Sequence, residues 1–126
     1  MATILLVDND LLQAFVRKSI LETRFHDVQR AADAAEALCL VEHPQFAGGL
    51  ALVISGLHMP GISGPEFVAE LHARMPRLPV LVLGDASDCP ADYAAEGVRF
   101  LPRPIASEQM LAMASQMLAQ NAHSNV

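Results

Sequence analysis

The side chains able to do chemistry in this sequence gather where apolar runs end. Asp8, Asn9 and Asp10 follow directly on Thr3 to Val7, and Ser55 closes the run that begins at Leu50. Asp85 comes two residues after Leu83, and Arg103, with Pro104, follows Val98 to Leu101. Carboxylates can ligate a hard cation or act as nucleophiles, and a guanidinium suits two-pronged binding of a carboxylate. Other chemistries find little support. Cys39 and Cys89 have no CxxC or His-spaced partner and read as small packing residues. The histidines at 26, 43, 58, 72 and 123 include no pair at i, i+4 and read as surface or loop residues.

The apolar runs are the elements that must position these groups. Thr3 to Val7, Leu50 to Ser55 and Pro79 to Leu83 are short and almost uniformly apolar, as strands buried on both faces must be; Val28 to Ala31 is a weaker second strand and Val98 to Leu101 a fifth. Helical spacing separates them. Asp10 is placed to cap a helix with a stripe of Leu12, Phe15, Val16, Ser19 and Ile20, ending near Thr23. Asp33 introduces a second helix in which Ala34, Leu38 and Val41 share a face; it stops before Pro44, and Gly48-Gly49 breaks the chain. Pro65 fits the first turn of a third, whose inner stripe is Phe67, Val68, Leu71 and Met75. Cys89 to Glu96 allows a short helix with Pro90 in its first turn. Ser107 caps the last helix, with Met110, Leu111, Ala114, Met117 and Leu118 inward, and residues 121–126 read as a polar tail after a domain of residues 1–120.

Five strand-helix units in succession imply an α/β fold, a flavodoxin-like (βα)5 three-layer sandwich with a parallel sheet of order 2-1-3-4-5. Such a sheet places functional groups at the carboxyl ends of its strands, near the reversal of strand order between strands one and three. Strand alternation turns Ser55 under a helix, so it reads as a small packing residue and not as a phosphate acceptor. Asp10 reads as an N-cap and not as a nucleophile.

The composition narrows the function. The chain has 126 residues, 14 Asp and Glu against 8 Lys and Arg, and a formal charge of -6. One domain is expected, large enough for its own core. So acidic a chain, with one lysine and seven scattered arginines, lacks the basic face that nucleic acid requires. No apolar run reaches the roughly 18–20 residues that span a bilayer, and MATILLVDND does not read as a signal peptide, so a cytoplasmic location is expected. Flavodoxin-type cofactor binding is set aside because DNDLL is no phosphate-cradling loop.

Four segments, ILLVDND, LVISGLHMPGISG, LPVLVLGDAS and RFLPRPI, together resemble the response-regulator receiver domain over nearly the whole chain. The resemblance implies a phosphorylation site of five parts: an acid pair after strand one that helps hold Mg2+, an Asp nucleophile after strand three, a hydroxyl after strand four, and a Lys before a Pro after strand five. Carried over residue by residue, it gives a degenerate site with no catalytic residue. The acceptor position is Gly56, which cannot form an acyl phosphate. The acid pair is Asp8 and Asn9, the hydroxyl position is Gly84, and the lysine position is Arg103 before Pro104. The backbone carbonyl of His58 could still face a metal, but with so few carboxylates Mg2+ binding should be weak or absent. Arg103 is expected to fold into the vacated pocket and pair with Asp8 or Asp85.

The resemblance further implies an interaction face built from the short helix at 89–96, the fifth strand and the last helix, carrying Tyr93, Phe100, Met110 and Met113. Phe100 is either a partner-facing aromatic or a fixed core residue, and much of the methionine stripe is core. The expected function is that of a stand-alone, atypical receiver in two-component phosphorelay signalling. It would be no enzyme, would need no cofactor, and would act through protein contacts with a histidine kinase, another regulator or a second copy of itself, without nucleic acid or membrane. Two alternatives stand beside it: a module sensing a small anion in the vacated pocket, and a conventional phosphorylatable receiver whose acceptor has been altered.

Overall fold

The apolar runs form five parallel strands: β1 (Thr3–Val7), β2 (Asp27–Ala31), β3 (Leu50–Gly56), β4 (Val80–Gly84) and β5 (Val98–Pro102), ordered β2-β1-β3-β4-β5. They belong to a computed structural model that describes residues 2–56, 61–84 and 97–124. The helices are α1 (Leu11–Glu22), α2 (Ala34–Val41), α3 (Pro44–Gly49), α4 (Gly64–Arg74) and α5 (Ser107–Ser124). The expected strand order and fold class are those observed. The short helix expected at 89–96 lies outside the described residues.

Strand alternation divides the core in two. Leu5, Val7, Val53, Val80 and Val82 face Ala34, Ala37, Phe67, Val68 and Leu71 on one side of the sheet. Ile4, Leu6, Leu52, Ile54, Leu81 and Leu83 face Ala14, Leu21, Met110, Leu111, Ala114 and Met117 on the other. Side-chain caps start the helices where the sequence places them. The Asp10 carboxylate accepts from the Gln13 N–H at 2.9 Å, and Ser63 Oγ accepts from Glu66 at 3.2 Å, with Pro65 in the first turn of α4. Asp33 accepts from the Glu36 N–H while the Glu36 carboxylate accepts from the Ala32 N–H, a reciprocal cap on α2.

Four local expectations are corrected. Gly48 and Gly49 do not break the chain but end the short α3, which Pro44 opens. Helix α5 runs on to Ser124, because residues 121–124 contain no Pro or Gly to stop it, so the polar tail does not begin at 121. Cys39 is exposed, since α2 turns Ala34, Ala37 and Val41 inward. The largest difference is in α1. Its buried residues are Ala14, Arg17 and Leu21, and the stripe of Leu12, Phe15 and Val16 faces outward. The link from β1 is only three residues long and the cap at Asp10 fixes where the first turn begins, so the connection sets which side of the helix meets the sheet.

Candidate functional site

The carboxyl ends of β1, β3, β4 and β5 converge where the chain crosses from β2 to β3, and Asp8 stands at the first of them. It is 4% exposed, and every polar group it owns is engaged. Its backbone N–H donates to the Ala31 carbonyl at 3.1 Å, which ties the end of β1 to the end of β2. Its carbonyl accepts two bonds from the Arg30 guanidinium, from Nε at 3.1 Å and Nη2 at 2.8 Å. One carboxylate oxygen accepts from the Asp10 N–H at 3.0 Å, and the other is ion-paired with Arg17 Nη1 at 2.9 Å.

Arg17 is the decisive residue, and nothing in its sequence neighbourhood singles it out. It is 8% exposed, on the face of α1 that otherwise carries Ala14 and Leu21. A buried carboxylate is costly unless a cation reaches it, and Arg17 is one long side chain away along the inward face. Burial pushes its guanidinium below the usual arginine range; Asp8 opposes that shift and the neighbouring Arg103 adds to it. The only signal available beforehand was an arginine three residues after Ala14 and four before Leu21, but this pattern is invisible while Leu12, Phe15 and Val16 are read as the inner stripe.

The expected partner of Arg103 is Asp8 or Asp85; Asp8 is paired with Arg17 from α1. Arg103 is exposed on the rim beside it, and its backbone N–H donates to the Gly84 carbonyl at 2.7 Å, joining the ends of β4 and β5. Asp85, the other expected partner, and His58 lie outside the described residues, as does Tyr93. Asn9 and Asp10 are exposed. Gly56 ends β3, paired with Leu83; a Cβ placed on it would meet only the Val7 carbonyl, at 3.8 Å, so the backbone leaves room for a side chain there. Ser55 is 2% exposed, and its hydroxyl donates to the Gly56 carbonyl at 2.8 Å, the packing role expected of it.

These residues do not fit a divalent cation. Among the described residues Asp8 is ion-paired already, with Arg17. No three potential metal-ligating side chains come together among the described residues. Hard cations are held by converging oxygens, and the described residues bring no such set together.

A groove of about 500 Å³ opens beside the ion pair. Its lining includes Asp10, Leu12, Val16 and Ile20 of α1, and Arg103, Ile105 and Met110 from β5 onward, with Pro104 in the wall. On the expected interaction face the side chains differ. Met110 is 1% exposed and belongs to the core, because α5 turns it toward Leu81 and Leu83. Phe100 and Met113 are half-buried, each packed against its side of the core.

The sequence pattern of the response regulator receiver domain matches residues 4–115. The chain belongs to that family. It is 32% identical over 120 residues to the sensor kinase CckA of Brucella abortus (strain 2308), covering 93% of this chain but only 12% of that kinase. The crystal structure of the receiver domain from the hybrid histidine kinase CckA superposes with a TM-score of 0.77 at 31% identity, covering 93% of this chain and 99% of that one. A signal receiver domain of an HD domain-containing protein from Pseudomonas fluorescens Pf-5 gives 0.85 at 27% identity, covering 97% and 98%. The domain is thus a receiver of two-component signalling. No helix among the described residues is long and apolar enough to cross a membrane.

Proposed function

We propose that this receiver passes its signal by protein contact, with no aspartyl phosphorylation, no Mg2+ and no enzymatic step of its own. Its partner is a cytoplasmic signalling protein, a histidine kinase or another regulator. The observation that carries this reading is Gly56, at the end of β3 where the family's acceptor carboxylate belongs. The Arg17–Asp8 pair supports it, since it puts a fixed cation where a receiver would otherwise recruit a metal.

Incubation with acetyl phosphate and Mg2+, followed by intact-mass analysis, tests the proposal. The unmodified mass is expected at every Mg2+ concentration. A single phosphoryl adduct would overturn it and point to Asp8, Asp10 or Asp85 as acceptor.

Two guanidiniums, Arg17 and Arg103, line the groove, and they favour a second reading, sensing of a small anion. Titration with inorganic phosphate separates the two: saturable binding that is lost in Arg103→Ala supports sensing, and its absence supports contact alone.

A further inference from the structure

Helix α1 is amphipathic in the reverse sense, with an arginine buried and an apolar stripe facing out. Leu11 and Leu12 are each 73% exposed, Phe15 68% and Val16 48%. Leu11 with Phe15 and Leu12 with Val16 are four apart and Leu12 with Phe15 three apart, so they form one continuous patch on the helix. The groove between α1 and the start of α5 runs alongside, with Leu12, Val16 and Ile20 on one wall and Ile105 and Met110 on the other. A protruding knob, Phe15, therefore stands next to a groove with apolar walls, which Asp10, Arg17 and Arg103 also line.

We propose that this face is occupied by a second copy of the chain, in a two-fold dimer in which Phe15 of each copy enters the groove of the other. A two-fold interface requires one surface to complement itself, and a knob beside a hole meets that requirement. Charge points the same way. The chain carries -6 overall, so two copies repel at most orientations, but around α1 Lys18, Arg24 and Arg103 offset Asp10 and Glu22. Area allows it: four side chains this exposed present on the order of 500 Å² per copy, near the top of the range for the largest patch on a monomer. Doubled by symmetry, that reaches roughly the 1,000 Å² at which specific interfaces begin, so the dimer is weak and reversible. The proposal does not depend on the loss of phosphoacceptor chemistry.

Sedimentation equilibrium from about 1 µM to about 1 mM tests it. Wild type is expected to show a monomer-dimer equilibrium. Phe15→Glu and, independently, Leu12→Glu should weaken it at least about tenfold while leaving the circular dichroism spectrum and melting temperature unchanged, since both side chains are exposed. Arg99→Glu, on the exposed edge of β5, should leave the equilibrium unaltered. A mass that stays monomeric throughout overturns the proposal and assigns the stripe to a different protein. A dimer that survives Phe15→Glu, or that Arg99→Glu abolishes, overturns it in favour of another face.

Discussion

At Asp8 a single buried carboxylate depends on a single guanidinium. Removing one member of a buried pair leaves the other uncompensated, which costs far more than the pair contributes; removing both is close to neutral. Arg17→Met is therefore expected to destabilise the fold by about 3 kcal/mol, and Asp8→Asn/Arg17→Met to return to within about 1 kcal/mol of wild type, measured by urea unfolding. Additive losses in the double variant would show that the two side chains act separately. Gly56 makes the complementary case. Its backbone has room for a Cβ 3.8 Å from the Val7 carbonyl, so Gly56→Asp should fold with a cost under about 1 kcal/mol. It should still gain no phosphoryl group from acetyl phosphate, because Arg17 continues to hold Asp8, whereas labelling of this single variant would show that the acceptor alone had been lost. The departures from the family pattern at 9, 56, 84 and 103 were legible in the sequence, since each is a residue type at a motif position. The residue that pairs with Asp8 was not, because Arg17 lies in no motif and acts only through the rotation of its helix.

Helix α1 shows where sequence periodicity stops carrying information. The almost uniformly apolar β1, β3 and β4 have one reading, and β2 and β5 carry polar residues but keep their place in the alternation of strands and helices. The order follows from short right-handed crossovers, and the observed sheet agrees in every position. An apolar stripe, by contrast, shows that a helix has two faces without saying which one meets the core. In α4 and α5 the stripe turns inward, with Phe67 and Leu71 fully buried and Met110, Ala114 and Met117 nearly so. In α1 the capped start after β1 turns the other face in. Exposure therefore predicts opposite outcomes for similar residues. Phe15→Ser should alter stability by less than about 0.5 kcal/mol, as for other surface substitutions. Phe67→Ala, which empties a fully buried site, should cost about 3–5 kcal/mol. Comparable losses from both, measured by chemical denaturation at a concentration where the protein is monomeric, would mean that α1 packs by its apolar stripe after all.

Over the whole molecule the charge balance sets the response to acid. Fourteen carboxylates against eight Lys and Arg keep the chain negative at neutral pH, with an isoelectric point near 5.2, and protonation below that leaves the cations unopposed. Stability on the acid side rests on carboxylates held ionised by native partners, and Asp27 is one of them. The Thr3 hydroxyl donates to it at 2.7 Å and the Gln29 amide at 2.8 Å, and these two bonds hold its carboxyl below the usual carboxylate range. A depressed folded value means that the native state keeps its proton off longer than the unfolded chain. The contribution is fully present above the unfolded value of about 3.9 and is lost as pH falls through the lower folded value. Thr3 is register partner to Asp27 across β1 and β2, so the bond also pins the first residues of the sheet's edge pair. Thr3→Val removes the larger of the two donors while keeping the shape of a side chain that is 8% exposed. The acid-unfolding midpoint of the variant should move to higher pH, and its loss of melting temperature relative to wild type should be larger at pH 7 than at a pH below the folded value of Asp27, where the carboxyl is neutral in both proteins. A difference in melting temperature that stays the same at a pH below the folded value of Asp27 as at pH 7 would assign the effect to packing and not to the carboxylate.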